Sequence, residues 1–520
     1  MANHQNKLCH VGDTYHQIEK ESIRQTVCRD LLIEYEIGNN SYCLLHAPTL
    51  DKDTKEFDRV FLERTSRNDS DFRAVVFPTP IDFNHRPIDL PLNFLGAIFL
   101  SSVDFYKVNI KYVYFDYARF HGRVQFHACF FSEVAKFNWA IFNREAWFTG
   151  CHFKVSEFDH VTFKGETRFN RWAKFIERAD FSSARFLGPT DFDTVTFECS
   201  VSFNEAEFGE DSRVSFFQSC FQDKVSFEKT IFRGYLNLEG VASRDLFGDN
   251  AGLSLRKARV EAPEKLSFHS ARLKPRWFVE VDSRKFVFTN IKWGSEKGKR
   301  IRAKDELSAL EIGNNRISYP NLAKYRLLSI TCRQLADNSE TNNRFEEASE
   351  FRRVAMDAEW LEKRASLRNW IGRVFQKNRK LNSRFGAGDF FIHGLYRFTS
   401  RYGESWVQAS GILLLFLFVG FPLIYSQTNF QSCPKEKTLA MSIAVCESKD
   451  EQVKRNCQCT TGGLGFGEGI VHSLTTATLQ NVDYRKPTTK KGETAVILEK
   501  IFAPLQAALL ALALRRKFMR

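Results

Sequence analysis

The 520-residue sequence lacks several features that would assign it to a common class of proteins. Its opening stretch, MANHQNKLCHVGDTYHQIEKE, contains no apolar run, so we expect no cleaved secretory signal. The region 94–240 lacks a charge excess, since 17 Lys and Arg stand against 19 Asp and Glu, and it does not have the composition of a nucleic-acid-binding surface. The same region lacks any catalytic pattern of residues, so the sequence predicts a protein that is not an enzyme.

The net charge of +13 is concentrated instead in a short segment further along the chain. Between Lys363 and Arg401 there are ten Lys and Arg but a single acidic residue, Asp389. This segment lies just before the most hydrophobic stretch of the chain. Because a basic flank beside an apolar run is typical of a membrane protein, we do not expect the positive charge to bind nucleic acid.

Phenylalanine is the residue present in excess. Of 51 phenylalanines, 27 lie between Phe94 and Phe232, where they return after five or six residues. A helix face repeats at three and four residues and a strand face at two, so this period belongs to a longer structural unit. The regular positions are Phe115, Phe120, Phe126, Phe131, Phe137, Phe142, Phe148, Phe153, Phe158, Phe163, Phe169, Phe175, Phe181, Phe186, Phe192, Phe197, Phe203 and Phe208, resuming at Phe216, Phe221, Phe227 and Phe232.

A small or β-branched residue stands two places before each phenylalanine from Phe115 to Phe208. A large and a small residue separated by two share one face of an extended segment, and mostly polar residues fill the places between them. Each unit therefore turns a phenylalanine and a small residue inward. The small positions are Val113, Ala118, Val124, Cys129, Ala135, Ala140, Ala146, Cys151, Ser156, Val161, Thr167, Ala173, Ala179, Ala184, Thr190, Val195, Val201 and Ala206.

This double pattern resembles the pentapeptide-repeat family in its Phe-centred form. The resemblance implies a β-solenoid, a right-handed quadrilateral β-helix in which each five- or six-residue unit forms one side of a square coil. Over residues 91–245 it predicts roughly six or seven coils, a rod of about 30 Å at the usual strand spacing. Such a solenoid buries a continuous core and presents flat outer faces that suit binding.

Residues 1–90 are predicted to form an N-terminal cap that covers the first coil. Cys9, Cys28, Cys43 and His46 lie within it, the last two as a C-x-x-H pair in CLLHAP. Three thiolates and one imidazole can close a tetrahedral structural zinc site, which would stabilise a segment poor in apolar residues. The spacing matches no common zinc module, so the alternative is a cap without metal.

Beyond the coil, residues 246–318 are predicted to be a β-rich continuation, because WFVEVDSRKFVFTNIKW alternates apolar and polar residues. The period then becomes helical, and residues 319–382 are predicted to form an antiparallel helical hairpin with its turn in DNSETNN. Packing or oligomerisation is the expected role of the hairpin.

The remaining chain has the pattern of a membrane anchor. A basic juxtamembrane segment, 383–405, precedes an uncharged span at 406–425, whose ends carry the candidate interface anchors Trp406 and Tyr425. A loop at 426–494, a second span at 495–514 and a basic tail at 515–520 follow. Basic flanks predict that both termini are cytoplasmic and the loop lies outside, in keeping with a bacterial inner-membrane protein.

The outer loop contains four cysteines whose state the spacing leaves open. An oxidising compartment would allow two disulfides, and the alternative is four free thiols. The candidates are Cys433, Cys446, Cys457 and Cys459.

The segment from Gly469 onward resembles the pore helix, filter and inner helix of two-span potassium-channel-like proteins. SLTTATLQNVDYRKP lies where those channels have their filter, but it lacks the filter glycines that shape a ring of carbonyls. The resemblance implies a homo-oligomer without K⁺ selectivity, with Thr475 and Thr476 as pore-lining candidates. LALALRRKFMR also resembles the C-terminus of membrane-associated pentapeptide-repeat proteins.

Two functions remain open at this point. The first is a membrane-anchored interaction protein whose cytoplasmic solenoid binds a protein partner. The second is an oligomeric channel-like effector gated through the solenoid. The resemblance also includes soluble pentapeptide-repeat proteins that mimic DNA, but these need a strongly acidic rod, whereas this rod is near neutral.

Overall fold

The computed structural model describes residues 9–11, 17–28, 31–67, 69–83, 91–241, 243–294, 301–312, 322–375, 387–403, 405–432, 460–478 and 485–518. The chain divides into two compact units, Met1–Asn342 and Asn343–Arg520. The first unit contains a β-solenoid with helices at its ends, and the second is mainly helical.

The solenoid consists of parallel sheets whose strands are one coil apart in sequence. One sheet contains β3 (Val76–Phe77), β6 (Ile98–Phe99), β9 (Arg119–Phe120), β12 (Ile141–Phe142), β15 (Thr162–Phe163), β18 (Arg185–Phe186), β22 (Glu207–Phe208), β26 (Ile231–Phe232) and β29 (Arg259–Val260). A second contains β4 (Ile81–Asp82), β7 (Val103–Tyr106), β10 (Val124–His127), β13 (Ala146–Thr149), β16 (Thr167–Arg168), β19 (Thr190–Asp191), β23 (Arg213–Ser215), β27 (Tyr235–Glu239), β30 (Leu266–His269) and β32 (Val287–Thr289).

A third sheet covers the two remaining sides, because its longer strands bend round a corner. Its members are β5 (Leu92–Asn93), β8 (Asn109–Tyr114), β11 (Phe130–Lys136), β14 (His152–Glu157), β17 (Lys174–Asp180), β20 (Thr196–Phe197), β21 (Val201–Ser202), β24 (Cys220–Phe221), β25 (Lys224–Ser226) and β28 (Gly252–Ser254). The long strand β17 pairs with β20 through one half and with β21 through the other. A last pair, β31 (Arg272–Leu273) and β33 (Lys292–Trp293), ends the solenoid.

Phenylalanine rings fill the axis in stacked columns, as the repeat predicts. In the column from Phe77 to Phe232, neighbouring ring centroids are 4.6 to 5.2 Å apart and the rings are nearly parallel. Paired strands lie ~4.8 Å apart, so ring stacking and backbone pairing share one repeat. All the predicted small positions from Val113 to Ala206 are buried as well. The inward-facing double pattern is therefore confirmed.

Close stacking of the coils also restricts the backbone at their corners. A Cβ added at Gly122 would lie 2.3 Å from the carbonyl carbon of Ser101, so only glycine fits there. At two other corners, one residue in each coil adopts a left-handed conformation, and most of these residues are not glycine; Tyr117, Trp139 and His160 lie at one of these corners. Such residues are held by the surrounding ladder of hydrogen bonds.

The solenoid is longer than the Phe spacing indicates. Its strands run from Val76 to Trp293, and ten of them stack on one face within the described residues, giving a rod of ~45 Å at the usual spacing. In the later coils Leu238 and Leu255 occupy the inward places that align with Phe216 and Phe227, and the connections between strands are longer. This is why the Phe period fails after Phe232 although the coil continues.

Both ends of the solenoid are covered by other elements. At the start, α1 (Gln17–Thr26) and the hairpin of β1 (Ile33–Ile37) and β2 (Asn40–Cys43) precede α2 (Thr54–Ser66), from which Phe61 contacts Phe72 and Phe77 of the first coil. At the other end, α3 (Ala303–Ile312) and α4 (Ala323–Thr341) follow β33. The Asn338 amide of α4 donates to the carbonyls of Ser283, Arg284 and Phe286 at 2.8 to 3.1 Å. The caps shield the terminal rings from water.

The predicted hairpin is divided between the two units. Its first helix, α4, continues through DNSET to Thr341, where a turn was expected, and belongs to the first unit. Its second helix, α5 (Phe345–Phe375), belongs to the second unit.

The second unit contains the apolar helices. After α5 come α6 (Ala387–Ser400), α7 (Trp406–Leu415), a π-helical turn (Phe416–Gly420) and α8 (Phe421–Ser426). They are followed by β34 (Asn429–Ser432), β35 (Thr460–Gly463), α9 (Phe466–Ala477), β36 (Arg485–Pro487) and α10 (Lys490–Phe518). Among the described residues, two helices are long and apolar enough to cross a membrane, Trp406–Ser426 and Lys490–Arg515. We call them candidate span 1 and candidate span 2.

The stacked core predicts a large difference between an axial and a surface substitution. Phe148 lies between Phe126 and Phe169, with centroid distances of 5.1 and 4.7 Å, and is fully buried. Phe148→Ala should lower the free energy of unfolding by ~3–5 kcal/mol because a cavity replaces the ring. Exposed Arg144 is the matched control, and Arg144→Ala should cost ~0.5 kcal/mol or less. Thermal unfolding of the purified full-length chain measures both, and equal shifts would contradict the stacked core.

Candidate functional site

Four potential metal ligands meet at the junction between the N-terminal cap and the first coil. Cys9 lies on the segment before α1, Cys28 directly after that helix, Cys43 at the end of β2, and His46 in the turn that follows. The turn is closed by hydrogen bonds from the His46 and Ala47 amides to the Cys43 carbonyl, each 3.1 Å long. The structure therefore brings together all four ligands that the sequence predicts.

The donor atoms have the separations of a small metal site. From Nδ1 of His46 the sulfurs of Cys9, Cys28 and Cys43 are 3.6, 3.2 and 3.1 Å away. The sulfurs of Cys28 and Cys43 are 3.8 Å apart. A tetrahedral zinc with ordinary bond lengths holds two sulfurs about 3.8 Å apart and a sulfur and a nitrogen about 3.6 Å apart. The cluster can thus hold a metal ion with small movements of its side chains.

Contacts around the ligands fix their orientation. Nε2 of His46 donates to the carbonyl oxygen of Arg73 at 3.2 Å, which leaves the Nδ1 lone pair for a metal. The Cys43 backbone N–H donates to the Cys9 sulfur at 3.3 Å, and Nε of Arg24 donates to the Cys9 carbonyl at 2.9 Å. Such outer contacts orient the ligands of a metal site.

Protons in the hydrogen bonds between the ligands shift the pKa values of His46 and Cys43. Burial alone lowers the pKa of His46, but hydrogen bonds and charge interactions with Cys43 and Cys9 raise it to about 10. Hydrogen bonds from Cys28 and Cys9 lower the pKa of Cys43 far below its usual value. A metal would replace these protons, so its binding should release them and weaken as the pH falls.

Buried Lys52 connects the same turn to the first coil. Its Nζ donates to the carbonyl oxygens of Leu44 and Val76 at 3.0 and 2.7 Å. Burial lowers the pKa of Lys52 to about 7. Together with the contact between His46 and Arg73, this lysine attaches the cap to the solenoid. Four protein ligands and near-complete burial suit a structural metal, which keeps no open position for a substrate.

A second group of buried polar residues lies in the unit that contains the candidate spans. The Glu499 carboxylate of candidate span 2 accepts hydrogen bonds from the Tyr425 hydroxyl of candidate span 1 and from the Ser473 hydroxyl of α9. Gly469 allows α9 to approach closely, because a Cβ there would lie 3.1 Å from the Pro422 carbonyl oxygen. The short helix is therefore fastened to both candidate spans.

Tyr425 differs from its prediction as an interface anchor. It is fully buried, its ring meets those of Phe430 and His472 edge-on at 5.6 and 4.9 Å, and its hydroxyl is held by Glu499. The partner of this tyrosine lies 74 residues away, so the local sequence gave no sign of it.

The two predicted pore-lining threonines have different positions on α9. Thr476 is 2% exposed and packs inside the chain. Thr475 is half-buried, and its hydroxyl donates to the carbonyls of Val471 and His472. The exposed side of α9 carries Val471 and Leu474 instead. The segment 479–484 and the candidate disulfide residues Cys433, Cys446, Cys457 and Cys459 lie outside the described residues.

Comparison with known proteins identifies the repeat. A family model of pentapeptide repeats, with nine copies, matches residues 115–162. No curated protein and no solved structure matches the chain. The matched residues lie in the first half of the solenoid, and the chain therefore contains pentapeptide repeats that form a β-solenoid.

The metal centre predicts a defined zinc content. The purified full-length chain should contain one zinc, and Cys43→Ser should lose it because a ligand is removed. Cys199→Ser, which changes a buried thiol of the solenoid, should keep the metal. Elemental analysis of the three proteins tests this, and an absence of stoichiometric zinc from the unmodified chain would rule out the site. Zinc retained by Cys43→Ser would show that the ligands are others.

Proposed function

We propose that the chain is a non-enzymatic interaction protein that is anchored in a membrane and presents its solenoid to a protein partner in the cytoplasm. The observation that carries the proposal is a solenoid with exposed aromatic groups in a chain that also has two candidate spans. Zinc bound by Cys9, Cys28, Cys43 and His46 would be structural and would hold the cap on the first coil.

The proposed docking surface is a corner of the solenoid formed by Tyr117, Trp139 and His160. Their rings are stacked with centroid distances of 6.2 and 3.9 Å, and 45% of Tyr117 and 46% of Trp139 is exposed. Exposed tyrosine and tryptophan on a rigid scaffold are typical of interaction hot spots. We call this row the aromatic corner.

The charged residues next to the aromatic corner favour a basic partner. A groove of ≈ 460 Å³ beside Tyr117 and Trp139 is lined by Asp116, Glu157, Asp159 and Asp180, and by Lys136 and Arg178. Four acidic residues against two basic ones make the groove net acidic. A segment with an arginine or lysine beside an apolar side chain would fit it, since a cation can be attracted both by carboxylates and by aromatic rings.

Membrane anchoring is supported by the exposure of the candidate spans. Only 17% of the most apolar window of candidate span 1 and 22% of that of candidate span 2 is buried. A core helix of a soluble protein would be covered by its own chain, whereas these helices present their apolar side chains outward. With both termini cytoplasmic, the basic segment before candidate span 1 faces the anionic inner leaflet.

A second candidate function is an oligomeric channel-like effector. It is favoured by the position of α9, which is hydrogen-bonded through Ser473 to Glu499 and packed on Pro422, as a re-entrant helix requires. One chain with two spans cannot enclose such a helix, so several copies would be needed. Because the filter region lacks glycines, the pore would discriminate poorly between K⁺ and Na⁺.

Photo-crosslinking tests the docking surface. With benzoylphenylalanine in place of Trp139, the full-length chain should form one discrete adduct with another protein in its native cells. The matched control is the same replacement at Trp172, which is 63% exposed at a different corner, and it should not form that adduct. Equal adducts at both positions, or none at Trp139, would contradict docking at the aromatic corner.

Reconstitution separates the two functions. If the chain is an anchored interaction protein, it should carry no ionic current in planar bilayers, whatever its oligomeric state in nanodiscs. Current from an oligomer would favour the channel-like function, and a strict monomer would exclude it. A K⁺ over Na⁺ permeability ratio above about 10, or ~1.4 kcal/mol of discrimination, would contradict our interpretation of the filter region.

A further inference from the structure

Helix α6, just before candidate span 1, exposes an apolar face. Phe391, Ile392, Leu395 and Phe398 are 76%, 67%, 46% and 65% exposed. At 3.6 residues per turn, positions 391, 395 and 398 fall on one side of the helix and 392 lies next to them. Isolated exposed apolar residues are common, but four large ones on a single helix face indicate a surface that is covered in the working protein.

The opposite face of α6 is held against α5 by polar and aromatic contacts. Nε of Arg397 lies 3.1 Å from Oδ1 of Asp357, and its guanidinium stacks 4.3 Å from the ring centre of Trp360. The ring of Phe390 also stacks on Trp360, at 6.5 Å. These contacts fix the rotation of the helix, so that Arg397 faces the protein and the four large apolar residues face outward. A soluble amphipathic helix has the reverse arrangement.

The end of α6 is joined directly to both candidate spans. The side-chain amide of Gln506, in candidate span 2, donates to the carbonyls of Thr399 and Ala409 at 3.0 Å each. Ser405 then caps the start of α7 by accepting a hydrogen bond from the Gln408 N–H at 3.2 Å. The end of α6 is therefore held beside both candidate spans, and the last exposed apolar residue of α6, Phe398, lies eight residues before Trp406.

The charge of the surrounding sequence matches a phospholipid surface. The segment 363–401, which contains α6, has ten basic residues and one acidic residue. Helices with an apolar face and basic flanks bind in the plane of the interface, where apolar side chains reach the acyl chains and basic ones meet the phosphates.

We propose that α6 lies in the cytoplasmic interface of the bilayer, with Phe391, Ile392, Leu395 and Phe398 inserted among the acyl chains of phospholipids. The inference rests on the proposed membrane anchoring and adds a third lipid contact to the two spans. Lipid is the occupant rather than a soluble partner, because the exposed face lies on the helix that precedes candidate span 1 and that is hydrogen-bonded to candidate span 2 through Gln506.

Lipid photo-crosslinking of the full-length chain tests this inference. The chain is reconstituted into nanodiscs of phosphatidylcholine and phosphatidylglycerol, with benzoylphenylalanine at Phe391 or, in a second variant, at Phe398. Mass spectrometry should find phospholipid adducts at both positions. Leu415 of candidate span 1, 56% exposed, is the positive control, and Phe130 of the solenoid, 42% exposed, is the control for an aqueous surface.

The controls separate failure of the inference from failure of membrane anchoring. Lipid adducts at Leu415 but only protein adducts, or none, at Phe391 and Phe398 would overturn the position of α6 and leave the anchor intact. An absence of lipid adducts at Leu415 would overturn the anchor and the inference together. Lipid adducts at Phe130 as frequent as those at Phe391 would show non-specific capture and would also count against the inference.

Discussion

The stacking of phenylalanine rings along the solenoid axis is the interaction on which the first unit depends. Rings in one column repeat every 4.6 to 5.2 Å, close to the ~4.8 Å between paired strands, so the side chains and the backbone impose the same coil height. A ring at the end of a column has a neighbour on one side only. The helices at both ends cover these terminal rings. Phe61 packs on Phe77 of the first coil, and Asn338 donates to the Phe286 carbonyl of the last coil.

Structure that depends on residues close together in the sequence could be predicted, whereas contacts between distant residues could not. The inward Phe and small residues follow from a short repeat, and so does the solenoid. The later coils do not, because Leu238 and Leu255 stand in the places of phenylalanine, and leucine is common in any core. The four metal ligands are recognisable by residue type. Lys52 supports the site by donating to the Leu44 carbonyl, and Arg73 by accepting from His46 through its own carbonyl. Contacts made with backbone carbonyls cannot be inferred from residue types.

The second unit follows the same rule over longer distances. Its apolar helices are evident from composition, but the bond from Tyr425 to Glu499 joins residues in different helices and turns an expected interface anchor into a buried one. Likewise, the outward orientation of the apolar face of α6 depends on the ion pair of Arg397 with Asp357, which holds the opposite face against α5. The sequence alone does not show this contact. The described chain thus combines a β-solenoid with helices that expose apolar side chains.

The claim that joins these parts is that a bilayer anchors the solenoid on its cytoplasmic side. Protease treatment of sealed membrane vesicles, combined with an alkaline carbonate wash, measures this most directly. The account predicts that the chain stays with the washed membranes and that the solenoid is digested in inside-out vesicles but protected in right-side-out ones. Recovery of the intact chain in the wash supernatant, or digestion of the solenoid in right-side-out vesicles, would contradict it.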